Sequence, residues 1–126
     1  MKAGFIVVAA TAALALGGMS TAALRQPAQT KSTHSAALIT QVNVGASDFK
    51  FALNKKSAKR GVVTFTVKNV GAVPHDFKIS GRKTKMLQPG QSATLRVSFL
   101  RTGAYPYICT VPGHVALGMK GVFTIK

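Results

Sequence analysis

An all-β domain, a Greek-key β-sandwich of about seven strands, is the fold predicted by this 126-residue chain. Three observations carry the prediction. From Leu38 onward, apolar and polar residues alternate with a period of two. Glycine and proline punctuate the joins between the alternating runs. No stretch of the same region has a helical period, and no internal repeat is present.

The N-terminus reads as an export signal. Lys2 supplies a positive start, residues 3–18 form a nearly unbroken run of small and aliphatic residues, and Ser20, Thr21, Ala22 and Ala23 offer a cleavage region. Residues 1–23 are expected to be a signal peptide, which places the protein in the periplasm or elsewhere outside the cytoplasm. The alternative is an uncleaved N-terminal membrane anchor, because the run is near the shortest that spans a bilayer. The only cysteine is Cys109, far beyond the run, so a lipid-modified N-terminal cysteine is excluded. Residues 24–37 are polar, small and aperiodic, the pattern of a flexible linker, and His34 falls within it. The remaining residues, 38–126, form the predicted domain.

Within that domain the strands follow in order. Phe49, Phe51 and Leu53 alternate with Lys50, Ala52 and Asn54. Val63, Phe65 and Val67 alternate with Thr64, Thr66 and Lys68. Ala93, Leu95, Val97 and Phe99 form a third run, and Phe123 and Ile125 a last one. Pro89-Gly90 suits the centre of a type II turn, proline fixing φ and glycine accepting a positive one. The segment Val73-Pro74-His75-Asp76-Phe77 reads as strand-like. His75 shares parity with Phe77 and Ile79 and is expected to face inward, while Asp76, Lys78 and Ser80 face outward. Met86 reads as core filler.

The charge is lopsided. Seventeen Lys and Arg stand against two acidic residues, Asp48 and Asp76, for a net charge of +15. Such a surface attracts anionic partners in a salt-dependent way. An acidic redox protein and an anionic membrane or wall surface fit an exported chain; nucleic acid does not. An unusual environment acting on the whole proteome would give the same charge without a particular partner. A lone cysteine excludes an intramolecular disulfide, so a small domain of this kind gains support from a bound metal instead.

Four residues carry the chemistry. Cys109, His114 and Met119 lie five apart in one stretch, and His75 lies upstream. One thiolate, two imidazoles and one thioether form a complete ligand list for a mononuclear copper ion that carries electrons. The thiolate is a soft donor, imidazole serves both oxidation states, and the thioether suits a long axial contact. Pro112-Gly113 allows a reversal that returns His114 toward the sulfur, and Gly118 relaxes the backbone before Met119. Taken singly, each residue has a plainer reading as core filler or surface. Zinc would use cysteine and histidine, but methionine is a poor zinc ligand. A dinuclear copper centre would need a second cysteine.

The string Tyr107-Ile108-Cys109-Thr110-Val111-Pro112-Gly113-His114, the later Gly118-Met119, and Asn69-Val70-Gly71 leading to Pro74-His75-Asp76 resemble the cupredoxins, the small type 1 blue copper proteins. The spacing around His114 is most similar to auracyanin and rusticyanin, and plastocyanin belongs to the same family. The resemblance covers about residues 40–126. It implies a Greek-key sandwich of seven to eight strands, with His75, Cys109 and His114 as equatorial copper ligands and Met119 as the axial one. The role it implies is one-electron transfer, not enzymatic catalysis. A copper trafficking or storage module without a redox partner is the alternative.

Many members of that family carry Asn after the first histidine; here it is Asp76. Its side chain is expected to hydrogen-bond the segment around Thr110, as an ionised acceptor or in protonated form. Val73, Pro74, Val111, Pro112, Val115, Ala116 and Leu117 are expected either to frame a small docking patch near His114 or simply to pack the end of the sandwich. Lys55, Lys56, Lys59, Arg60, Arg82, Lys83 and Lys85 would steer an acidic partner toward a monomeric carrier, or would be solvated loop residues.

Overall fold

The structure is a computed structural model that describes residues 38–126 and, upstream, only positions 11–12 and 17–18. The expected signal peptide (1–23) and linker (24–37) therefore lie outside the described residues but for those four positions.

Among the described residues nine strands follow one another: β1 (Ile39–Ser47), β2 (Lys50–Leu53), β3 (Ser57–Ala58), β4 (Gly61–Asn69), β5 (Lys78–Ile79), β6 (Arg82–Lys83), β7 (Ser92–Phe99), β8 (Gly103–Ile108) and β9 (Lys120–Ile125). They form two mixed sheets, one in the order β2-β1-β4-β7 and one in the order β3-β9-β8-β5-β6. The β1–β4 and β3–β9 pairs are parallel and the other pairs antiparallel. The all-β expectation holds. Three of the nine strands are two residues long, too short to leave an alternation in the sequence.

Alternation puts one face of each long strand into the space between the sheets. Val42, Val44 and Ala46 of β1 are buried there, as are Val63, Phe65 and Val67 of β4, Leu95, Val97 and Phe99 of β7, and Phe123 and Ile125 of β9. Phe65 joins the two layers, with its ring centroid 5.2 Å from that of Phe77 and 5.3 Å from that of Phe123. Each such ring stabilises the fold by about 1.5–3 kcal/mol relative to an exposed one. Tyr107 of β8 lies opposite Gly121 of β9, and its ring fills the space that a Cβ at Gly121 would take. Pro89-Gly90 turns as expected: Gly90 has φ 82°, and Gln91 N–H donates to Gln88 O at 2.9 Å.

Two expectations fail. Met86 is 43% exposed and fills no core. The segment around His75 is not a strand: only a single bridge, His75 to Leu87, precedes β5. His75, Phe77 and Ile79 are buried and Lys78 and Ser80 exposed, as expected, but without a continuous ladder the alternation breaks at Asp76, which is buried between His75 and Phe77. Asp76 therefore points inward, not outward.

Candidate metal centre

The chain enters one pole of the sandwich at the end of β4. Asn69 is fully buried there, and its amide donates to Val73 O and Leu87 O, both at 2.8 Å. Its side-chain oxygen accepts from Gly71 N–H at 2.9 Å. One side chain thus shapes the irregular 70–77 connection. His75 is held at its end by backbone bonds in both directions to Leu87, 3.0 and 2.8 Å long.

The second segment leaves β8. Cys109 N–H donates to Met119 O at 3.1 Å, and Met119 N–H donates to His114 O at 3.0 Å. Between them His114 N–H donates to Val111 O, and Gly118 N–H to Val115 O, closing the loop in tight turns. Gly113, with φ 84°, takes the left-handed conformation that the reversal requires. Cys109 and Met119 are fully buried, and His114 is 9% exposed.

These two segments bring three donors together. One nitrogen of His75, one of His114 and the sulfur of Cys109 all lie within 4.8 Å of one another. The two Nδ1 atoms are 3.2 Å apart, and His114 Nδ1 is 3.6 Å from the Cys109 sulfur. These separations are short enough for one ion to reach all three donors. Met119 is joined to Cys109 and His114 by backbone bonds, and its side chain is fully buried.

The tautomers strengthen the fit. His75 Nε2 lies 2.6 Å from Asp48 Oδ1, so Nε2–H donates to the carboxylate and Nδ1 presents its lone pair. His114 Nδ1 then faces both that lone pair and the Cys109 sulfur. His75 Nδ1, His114 Nδ1 and the Cys109 sulfur are three donors that converge on one point. A single cation at their centre meets all three. One thiolate and two imidazoles in a buried, preformed cluster suit copper in either oxidation state.

Both acidic side chains of the chain serve this pole. Asp48 comes from the β1–β2 hairpin, where Oδ1 orients His75 and Oδ2 accepts from Ala72 N–H at 2.9 Å. The Ala72 N–H, followed by the His75 contact, holds the Asp48 carboxyl below its usual range. Gly71 is necessary to this arrangement, because a Cβ there would run into the Asp48 carboxylate and lie 3.0 Å from His75 Nε2. Asp76, 1% exposed, accepts from Thr110 N–H at 2.6 Å and from the Thr110 hydroxyl. The expected Asp76–Thr110 tie is present, and the carboxylate is the acceptor in both bonds. It joins the His75 segment to the Cys109 segment. Burial pushes the Cys109 thiol up, and the neighbouring Asp76 charge adds to the effect; backbone N–H groups of Asp76 and Val111 oppose it.

Two contributors escaped the sequence reading. Asp48 is 27 residues from His75, with no local pattern linking them; its only signal was that acids are so few. Phe49 stacks edge-on to both imidazoles, with centroids 6.2 Å from His75 and 4.9 Å from His114. Around His114, Pro112 and Ala116 are exposed and Leu117 is 61% exposed, while Val73, Pro74, Val111 and Val115 are half-buried.

A family model described as a cupredoxin-like domain matches residues 8–125. Auracyanin-B of Chloroflexus aurantiacus is 45% identical over 42 residues, a stretch that is 33% of this chain and only 18% of that protein. Among solved structures, the dithionite-reduced auracyanin of Roseiflexus castenholzii is 27% identical with a TM-score of 0.56, covering 72% of this chain and 98% of that one. An auracyanin B structure superposes with a TM-score of 0.61 at 24% identity over 71% of this chain and 90% of its own, a likeness of fold. With the family model extending over nearly its whole length, the chain belongs to the cupredoxin-like domain family.

Proposed function

We propose that this chain is an exported mononuclear blue copper protein that carries single electrons between redox partners. The observation that carries the reading is the buried convergence of His75, Cys109 and His114 within 4.8 Å. The family and the auracyanin likeness support one type 1 copper as the cofactor. His75, Cys109 and His114 would hold the ion, with the Met119 thioether as a fourth donor.

Bound copper supplies a one-electron couple between Cu(I) and Cu(II). The chain's own residues make that couple usable. Asp48 fixes the His75 ring with Nδ1 free, and Asp76 ties the two ligand-bearing segments together. The packed sandwich and the bonded 109–119 loop set the donor spacing in advance, so little moves when charge changes. Phe49 and the surrounding aliphatic residues keep water from the imidazoles, while His114 stays near enough to the surface to meet a partner. Four protein donors leave no open position for a substrate, so enzymatic turnover is not part of this reading.

Export rests on the N-terminal sequence, and an uncleaved terminus would anchor the protein to a membrane. Among the described residues no helix is long and apolar enough to cross one. The redox partner is an acidic protein rather than a nucleic acid, and the carrier acts as a monomer. The experiment is a Cu(II) titration followed by visible absorption, electron self-exchange and copper-transfer measurements. Intense thiolate-to-copper absorption, fast self-exchange and retained copper are expected. Ready copper release to an acceptor, with slow self-exchange, would instead identify a trafficking or storage module.

A further inference from the structure

We propose that the outer face of the five-stranded sheet is a docking surface for a carboxylate-rich protein. The strand registers align its residues. Lys83 of β6 lies opposite Lys78 of β5, Lys78 opposite Ile108 of β8, and Ile108 opposite Lys120 of β9. Ile79, Tyr107 and Phe123 of these strands are buried, so the row Lys83–Lys78–Ile108–Lys120 shares the opposite, outward face. At about 4.8 Å per strand the row is roughly 14 Å long. Beside it Pro106 pairs with Val122, which is 52% exposed. Two shallow clefts meet along Pro106 and Ile108, one flanked by Lys78 and Ser80, the other by Lys120 and Val122. The face is an apolar ridge with a cation on either side.

Among the described residues no acidic side chain neutralises this row. The sequence has two acidic side chains, and both are committed at the metal pole. Among the described residues the one ion pair is Asp48 with His75. Like charges directly opposite on a ladder, as Lys78 and Lys83 are, work against its stability. A complementary surface would carry carboxylates on either side of an apolar centre, which is a protein surface. Every Lys and Arg from residue 38 onward is exposed, so charge alone does not select this face; its apolar centre at Pro106 and Ile108 does. The proposal names the surface for the partner in the carrier reading and rests on that reading only for the occupant being a protein.

The test is a titration of the isotope-labelled full chain, loaded with Cu(I), with the peptide Glu-Glu-Leu-Glu-Glu at low salt. A parallel titration uses vesicles of phosphatidylcholine and phosphatidylglycerol in equal parts. Amide shifts concentrated at Lys78, Lys83, Ile108 and Lys120 are expected. The pair Lys78→Glu and Lys120→Glu should weaken peptide binding about tenfold, and the charge-matched pair Lys50→Glu and Lys68→Glu on the other sheet less than about threefold. Equal weakening by both pairs, shifts spread over both sheets, or no binding would overturn the docking face. A row engaged by vesicles and not by peptide would overturn the protein occupant. Repeating the peptide titration on the metal-free chain reads the surface independently of whether copper binds.

Discussion

Replacing Asp76 probes the tie between the two ligand-bearing segments. Its carboxylate accepts from both the N–H and the hydroxyl of Thr110, from a position that is 1% exposed. Hydrogen bonds to a charged group contribute about 1.5–3 kcal/mol each and neutral ones about 0.5–1.5 kcal/mol. Asp76→Ala removes two of the charged kind and leaves the Thr110 N–H without its partner, a loss of roughly 3–6 kcal/mol. Asp76→Asn keeps an acceptor for the N–H, and its amide donates to the Thr110 hydroxyl, which turns to accept. The expected loss is then about 1–3 kcal/mol. Urea unfolding of the metal-free full chain measures both. The reduction potential of the copper-loaded protein is a second readout: Asp76 charge disfavours the Cys109 thiolate, and its removal favours Cu(I), so Asp76→Asn should raise the potential. Equal losses for Asn and Ala, or an unchanged potential in Asp76→Asn, would refute the reasoning.

Three further outcomes follow from the same geometry. Asp48→Ala frees the His75 ring and should cost about 10–100-fold in copper affinity, measured by competition with a chelator; Gly71→Ala, which drives a methyl group into the Asp48 carboxylate, should reproduce it. Gly121→Ala forces the Tyr107 ring out of its place and should destabilise the fold by about 1–3 kcal/mol in urea, with Tyr107→Leu relieving part of the loss. Burial raises the Tyr107 pKa above its ordinary value, so its stabilising contribution is complete below the unfolded tyrosine range and disappears as pH climbs through the folded pKa. Alkaline unfolding of metal-free Tyr107→Phe should therefore lose less stability with rising pH than the parent, and identical profiles would contradict the assignment.

Much of this was legible in the sequence, for physical reasons that differ from place to place. β4, β7 and β9 each bury one face, and the burial leaves an alternation that any reader can follow. Cys109, His114 and Met119 announce themselves because one loop carries all three, and a loop's spacing is local information. Parity oriented His75 inward correctly but failed for Asp76, because the connection is irregular and Asn69 replaces ladder bonds with side-chain ones. β3, β5 and β6 are defined by their neighbours alone. Asp48 was invisible as a contributor for a related reason: its contact with His75 exists only once the β1–β2 hairpin is folded over the pole.

X-ray absorption at the copper edge of the loaded full chain tests the central claim most directly, because it reads the donor atoms around the ion. The account predicts one sulfur and two nitrogens in the nearest shell, with the sulfur signal lost in Cys109→Ser. A copper shell of nitrogen and oxygen alone in the parent protein would contradict it.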